Sequence, residues 1–253
     1  MVNGKLGKKP AVEDVRTFKL SKLLDPSLPT PPVEYNFDAI NKTIIPTPMF
    51  ANDKYGDCVM AGRAHMTLRF EYFEQKLCLD INDGEILYQY WKEGGWPGCW
   101  FVPKPDNGLV MLLSLKSWQN LGWKLAGNKY NIYAYASIHW SDFDEVKCAI
   151  SLLNGAYCGL ALPNSAQNQD VWDVSDSSNG AKASWGYHCV AIPEYNKTGP
   201  VCVTWGAKKQ MTWAFLNKYC DECYAIIDDK NKFTKNSPID IEKLQSYLNA
   251  LKS

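Results

Sequence analysis

Residues 58–75 run without a proline and with a single glycine, and they follow the turn-like string Asn52-Asp53-Lys54-Tyr55-Gly56-Asp57. Such a run reads as a long helix, with Asp57 as its N-cap and Gly56 permitting the tight turn before it. Cys58 is then the first helical residue. Unpaired backbone N–H groups and the positive end of the helix dipole favour a thiolate there. A thiolate is a nucleophile, so the chain must be searched for a base that can reach it.

Two more helices follow, over residues 84–92 and 109–120, the second stopped by Gly122. Between them lies the loop Gly94-Gly95-Trp96-Pro97-Gly98-Cys99-Trp100. After about residue 130 the pattern changes to strands at 130–135, 157–162, 188–192, 201–205 and 224–227. Ser141 caps a helix reaching Leu153, a short helix or turn covers 211–218, and Asn196 to Pro200 makes a turn. A final amphipathic helix is capped by Ser237-Pro238, with Ile241, Leu244, Leu248 and Leu251 on one face. The fold class is α+β, with a helical part (about 50–128), a mainly antiparallel β part (129–235) and a C-terminal helix (238–251). Residues 1–32 end in the proline-rich string Pro26-Ser27-Leu28-Pro29-Thr30-Pro31-Pro32. They read as an extended N-terminal extension that lies on the surface or is removed, and its lysines as a solvated arm. The domain proper is 33–253.

The chain has 253 residues and formal net charge zero, which argues against a nucleic-acid partner, since that needs a basic face. No apolar run is long enough to span a bilayer, and no export signal is visible. The expectation is a cytoplasmic protein with no membrane partner, with a virion location also open. Nine cysteines without a small-domain framework read as reduced thiols. Cys220-Asp221-Glu222-Cys223 has metal spacing, but no second pair follows and zinc takes four ligands, so no metal is assigned. No phosphate-binding glycine fingerprint appears and no cofactor is expected. Asp170, Asp173 and Asp176 read as a flexible loop rather than a calcium site.

Only three histidines exist. His65 falls on the Cys58 helix about 10 Å further along at 1.5 Å per residue, where a structural role is expected. His139 reads as filler. His188 opens an apolar strand behind Ser184-Trp185-Gly186-Tyr187, which makes it the candidate base.

These strings resemble the papain-like cysteine peptidases. Gly56 and Cys58 match that family's glycine and nucleophile, and Asn52 stands at its oxyanion glutamine. Gly186-Tyr187-His188 resembles the family's histidine strand. Val203-Thr204-Trp205-Gly206 stands at its Asn-Ser-Trp-Gly, and Gly94-Gly95-Trp96-Pro97 at its glycine-rich segment. The motifs are most similar to those of bacterial and phage proteins with Gly-Asp-Cys, Trp-Gly-x-His and Thr-Trp-Gly. The resemblance spans residues 33–235 and implies a cleft between helical and β subdomains. It implies Cys58 as nucleophile, His188 as base, and Asn52 with the Cys58 N–H as oxyanion hole, with Trp205 shielding the histidine. The substrate would be a peptide or protein, cut through a thioester. The orienting asparagine falls on Val203, which cannot accept a hydrogen bond. Thr204 could take that role only if the strand register slips by one. Tyr55 replaces a cysteine that often forms a disulfide in the family. Acyl transfer, or a silent papain-fold binding or structural protein of a phage, are the alternatives. Nothing in the sequence assigns an oligomeric state.

Overall fold

The computed structural model describes residues 4–228 and 238–250. In chain order the elements are β1 (Phe18–Lys19), α1 (Leu20–Leu23), β2 (Tyr35–Asn36), α2 (Phe37–Asn41), α3 (Cys58–Gln75), α4 (Asp83–Glu93) and α5 (Met111–Asn120). Then come β3 (Trp123–Leu125), β4 (Asn128–Tyr130), β5 (Ala134–Ser137), α6 (Phe143–Leu152) and β6 (Ala156–Leu162). After two 3-10 turns follow β7 (Gly186–Tyr195), β8 (Pro200–Thr204), β9 (Ala207–Gln210), α7 (Trp213–Tyr219), β10 (Cys220–Ile227) and α8 (Ile241–Ala250).

The main sheet runs β1-β5-β10-β6-β7-β8-β9, with β2 added beside β7. It is antiparallel except for the β1–β5 pair. Helices α3, α4 and α5 form the other layer, and α3 packs along β7. The α+β reading therefore holds, with a helical part against an antiparallel-dominated sheet.

Helix α3 has no clean apolar stripe, because it is covered on every side. Every residue from Cys58 to Glu71 is buried. A helix wrapped by helices on one side and a sheet on the other need not be amphipathic. Its buried Arg63 is held by Glu93 at 2.9 Å and sits between Trp118 and Trp123, with its guanidinium carbon 4.8 and 4.4 Å from their ring centroids. This arrangement ties α3 rigidly to α4 and α5, so the first turn of α3 is a fixed platform.

Several local expectations are corrected. The segment 130–135 is not one strand: β4 ends at Tyr130 and β5 begins at Ala134. Asp142, not Ser141, caps α6, because its carboxylate accepts from both Asp144 N and Glu145 N, at 3.1 and 3.2 Å. Asp57 makes no side-chain cap. The N-terminal extension is mostly exposed but is not wholly solvated, since Lys8, Leu20 and Leu23 are buried. Ser237 and Leu251 lie outside the described residues. Among the described residues no helix is long and apolar enough to cross a membrane.

Candidate active site

The turn before α3 uses two left-handed residues, Phe50 (φ 54°) and Ala51 (φ 61°), to reverse the chain. Gly56 N donates to Asp106 Oδ1 at 2.8 Å, and Tyr90 OH donates to the same oxygen at 2.8 Å. Tyr90 OH in turn accepts from Gly108 N at 3.0 Å. Asp106 and Tyr90 thus fasten the Cys58 turn to the loop that precedes α5. Neither was found from sequence, because both lie more than thirty residues from Cys58 and belong to no motif.

Cys58 opens α3 and is buried. Its thiol is pushed up to about 12, chiefly by burial, against the backbone N–H groups of Cys189 and Gly7 that hydrogen-bond the sulfur. Asp57 turns inward instead of capping. Its Oδ1 accepts from Asn52 Nδ2 at 3.0 Å, its other oxygen has no partner, and burial pushes the carboxyl up to about 8. Burial thus favours the protonated form of this acid beside the Cys58 thiol.

His188 lies on β7, fully buried. Its Nε2 is 2.6 Å from Thr204 Oγ1, and its ring stacks on Trp205 at 4.2 Å with an 18° tilt. Nδ1 has no hydrogen-bond partner. When Nε2 carries the proton, the Thr204 hydroxyl accepts it and Nδ1 is left as the basic lone pair. A one-residue register shift does interrupt β7–β8, between Ala191↔Val203 and Glu194↔Val201. Val203 makes no contact of this kind. Because Cys189 N–H reaches the Cys58 sulfur, the nucleophile candidate sits against the His188–Cys189 peptide.

Trp205 was expected on the strand but occupies a turn. Thr204 pairs with Ala207, so Trp205-Gly206 is a two-residue hairpin loop, and both residues have positive φ (45° and 76°). That is the signature of a primed turn, natural for glycine and strained for tryptophan. The strain is offset by the His188 stack, by Trp185 at 5.3 Å and Trp172 at 6.1 Å, and by a hydrogen bond from the indole N–H.

That hydrogen bond goes to residues 4–9, which form a strap between the Cys58 turn and the Trp205 hairpin. Lys5 O accepts from Trp205 Nε1 at 3.1 Å and from Asn52 Nδ2 at 3.3 Å. Lys5 N donates to Asn52 O, Leu109 N donates to Gly7 O, and Lys9 N donates to Leu109 O, each at 2.8 Å. Gly4 faces the Trp205 ring and Leu6 lies on Gly186. Gly7 passes so close to Gly56 that a Cβ would stand 1.7 Å from the Gly56 oxygen. Lys8 Nζ is anchored by Asp221 at 2.7 Å and Glu222 at 2.8 Å. Asn52, the predicted oxyanion donor, is therefore engaged with Lys5, with Tyr55 O at 3.1 Å and with Asp57. The strap is not legible in the sequence, where its lysines read as a solvated arm.

The Thr204 contact has a measurable consequence. Thr204→Val leaves the His188 Nε2 unpaired in a buried place and should lower stability by about 1–3 kcal/mol, read from urea unfolding. Thr204→Ser should restore most of it, and equal stabilities in the two variants would deny Thr204 this contact.

Burial holds His188 at about 3, below its ordinary 6.5. Between those values the unfolded chain binds one more proton at this residue. The stability it contributes is full above pH 6.5 and is lost as pH falls towards 3. Unfolding free energies from urea titration at pH 6.5 and 4.5 should therefore differ by about 2–3 kcal/mol less in His188→Gln than in the unaltered chain. Identical pH slopes would show that His188 is not buried neutral.

His65 is buried against Phe50, with ring centroids 4.9 Å apart, and is likewise pushed down to about 3 by burial. It has a structural place in α3. The His139 ring Nδ1 lies 3.1 Å from Ser141 Oγ.

No family model matches the chain, and no curated protein matches it. Solved structures do resemble it. Xylellain, a cysteine protease from Xylella fastidiosa, superposes with TM-score 0.65 at 15% identity, over 89% of this chain and 97% of that one. The cysteine protease and lectin-like domains of Cwp84 from Clostridium difficile give TM-score 0.61 at 12% identity, over 89% of this chain and 56% of that one. Procathepsin B from Trypanosoma congolense gives 0.59 at 10% identity, over 89% and 87%. With a cysteine opening the central helix and a histidine on the facing sheet, this chain has the fold of the papain-like cysteine proteases.

Proposed function

We propose that the chain is a cysteine-dependent hydrolase of peptide or related amide bonds, held latent by its own residues 4–9. The observation that carries this reading is the strap. An extended peptide already lies between Cys58 and Trp205, with one carbonyl taking two N–H donors, from Asn52 and Trp205. A groove that binds peptide backbone by main-chain edges and fixed donors is a peptide-recognition device. Here it runs past a thiol at a helix start and an imidazole with an open Nδ1.

Once a substrate replaces the strap, the Cys58 proton passes to His188 Nδ1 and the sulfur attacks the amide carbon. Thr204 holds the imidazolium through Nε2, and the Trp205 ring keeps water off it. The Cys58 N–H and the Asn52 amide stabilise the oxyanion, once Asn52 has left Lys5. Collapse breaks the C–N bond, His188 gives its proton to the leaving amine, and a thioester remains. Water, deprotonated by the same nitrogen, then frees the acid. An amine in place of that water would make the reaction acyl transfer.

The test is cleavage of a random peptide library, read by mass spectrometry, with the Lys8→Ala protein and its Cys58→Ala counterpart. Cleavage by the first and none by the second supports the proposal. Absence of cleavage by both would favour a silent binding protein.

A further inference from the structure

A second group of nucleophilic side chains lies behind the strap anchor and has no part in the chemistry above. Cys220 and Cys223 on β10 meet Cys158 on β6, which pairs directly opposite Cys223. The three sulfur atoms all lie within 4.8 Å of one another, the side chains are buried, and Cys158 Sγ is 3.5 Å from Cys220 Sγ. We propose that Cys158, Cys220 and Cys223 form a thiolate site for a thiophilic d10 cation, Zn2+ or Cu+.

The backbone is shaped for it. On a regular strand, residues three apart point to opposite faces. Here the register shifts between Cys220↔Leu160 and Glu222↔Gly159, so Asp221 is an extra, bulged residue. The bulge turns Cys220 to the face that carries Cys223 and Cys158. Thiolates bound to one metal at ~2.3 Å stand roughly 3.7–4 Å apart, close to the spacing observed. A disulfide would need ~2.05 Å. Sequence spacing supplied only the pair Cys220 and Cys223, and the third sulfur comes from 62 residues away. Two backbone carbonyls also face the group, Glu222 O at 3.4 Å from Cys220 Sγ and Gly159 O at 3.7 Å from Cys158 Sγ. Cu+ is satisfied by the three sulfurs, whereas Zn2+ would take a fourth ligand beside them.

Loading breaks three S–H bonds, forms three metal–sulfur bonds and releases three protons, with no change of oxidation state. The three side chains are buried, so the ion enters as the chain folds. Its structural effect would be on the bulge, which presents Asp221 and Glu222 to Lys8.

The test is elemental analysis of the purified full chain, and of the chain refolded anaerobically with Zn2+ alone or Cu+ alone. One equivalent of one ion is expected, lost in each of Cys158→Ser, Cys220→Ser and Cys223→Ser and kept in Cys202→Ser, another buried thiol. The ion that survives a chelator challenge distinguishes zinc from copper. Should those variants fail to fold, refolding the unaltered chain with Cd2+ should produce the ultraviolet thiolate-to-cadmium band. Absence of stoichiometric metal with either ion, absence of that band, retention in the three variants, or a denatured thiol count below nine through disulfide formation would each overturn the proposal. None of these readouts uses peptide cleavage, so the site can fail without the proposed hydrolase failing.

Discussion

Lys8→Ala should raise the rate at which iodoacetamide alkylates Cys58 at pH 7 by two to three orders of magnitude. In the strapped form the thiol is held at about 12 by burial. An exposed cysteine titrates near 8.5, so full release of the sulfur raises its thiolate fraction about 3000-fold, and partial displacement of the strap somewhat less. Lys8 is the place to loosen the strap, because it is buried and neutralises Asp221 and Glu222. Removing one partner of such a buried group costs about 3–5 kcal/mol, enough to favour a displaced strap. Gly7→Ala should act the same way by a different route, since its Cβ would collide with backbone oxygen at Gly56. The exposed Cys78 provides an internal reference whose rate should not change. If Cys58 reacts no faster in either variant, the strap is not what hides it.

The second large effect concerns the base. In the Lys8→Ala background, His188→Ala should lower kcat/KM by about 10²–10⁴-fold, the usual contribution of a positioned acid–base group. Cys58→Ala should leave no cleavage at all, and His65→Phe should leave cleavage close to normal because His65 touches Phe50 rather than the cleft. Equal losses in His65 and His188 variants would mean that both act only through folding.

Much of the scaffold was legible because it obeys local rules. The helix read from residue 58 to 75 has those bounds in the structure, since nothing within it breaks a helix and Lys76 ends it in the left-handed conformation. Strand β6 was legible as a short apolar run. What escaped reading depends on contacts between distant residues. Asp57 looks like a cap in sequence, yet Asn52 draws its carboxylate inward. Thr204 faces His188 where sequence anchored on Trp205 pointed to Val203, and Trp205 itself lies in the hairpin turn. The strap is the largest omission. Gly4 and Gly7 are needed for close passage, and Lys8 for a buried ion pair, but a short run of glycine and lysine reads as solvent-exposed chain. Cys158 joins Cys220 and Cys223 only through strand pairing, which spacing along the chain does not encode.

In the proposed mechanism Cys58 and His188 become a thiolate–imidazolium pair once the strap leaves. The pH dependence of Cys58 alkylation in Gly7→Ala, with and without His188→Ala, measures this pairing. A reactive thiolate should persist well below the ordinary thiol range near 8.5, and should revert to that range when His188 is removed. A Cys58 that titrates near 8.5 or above in both proteins would contradict it.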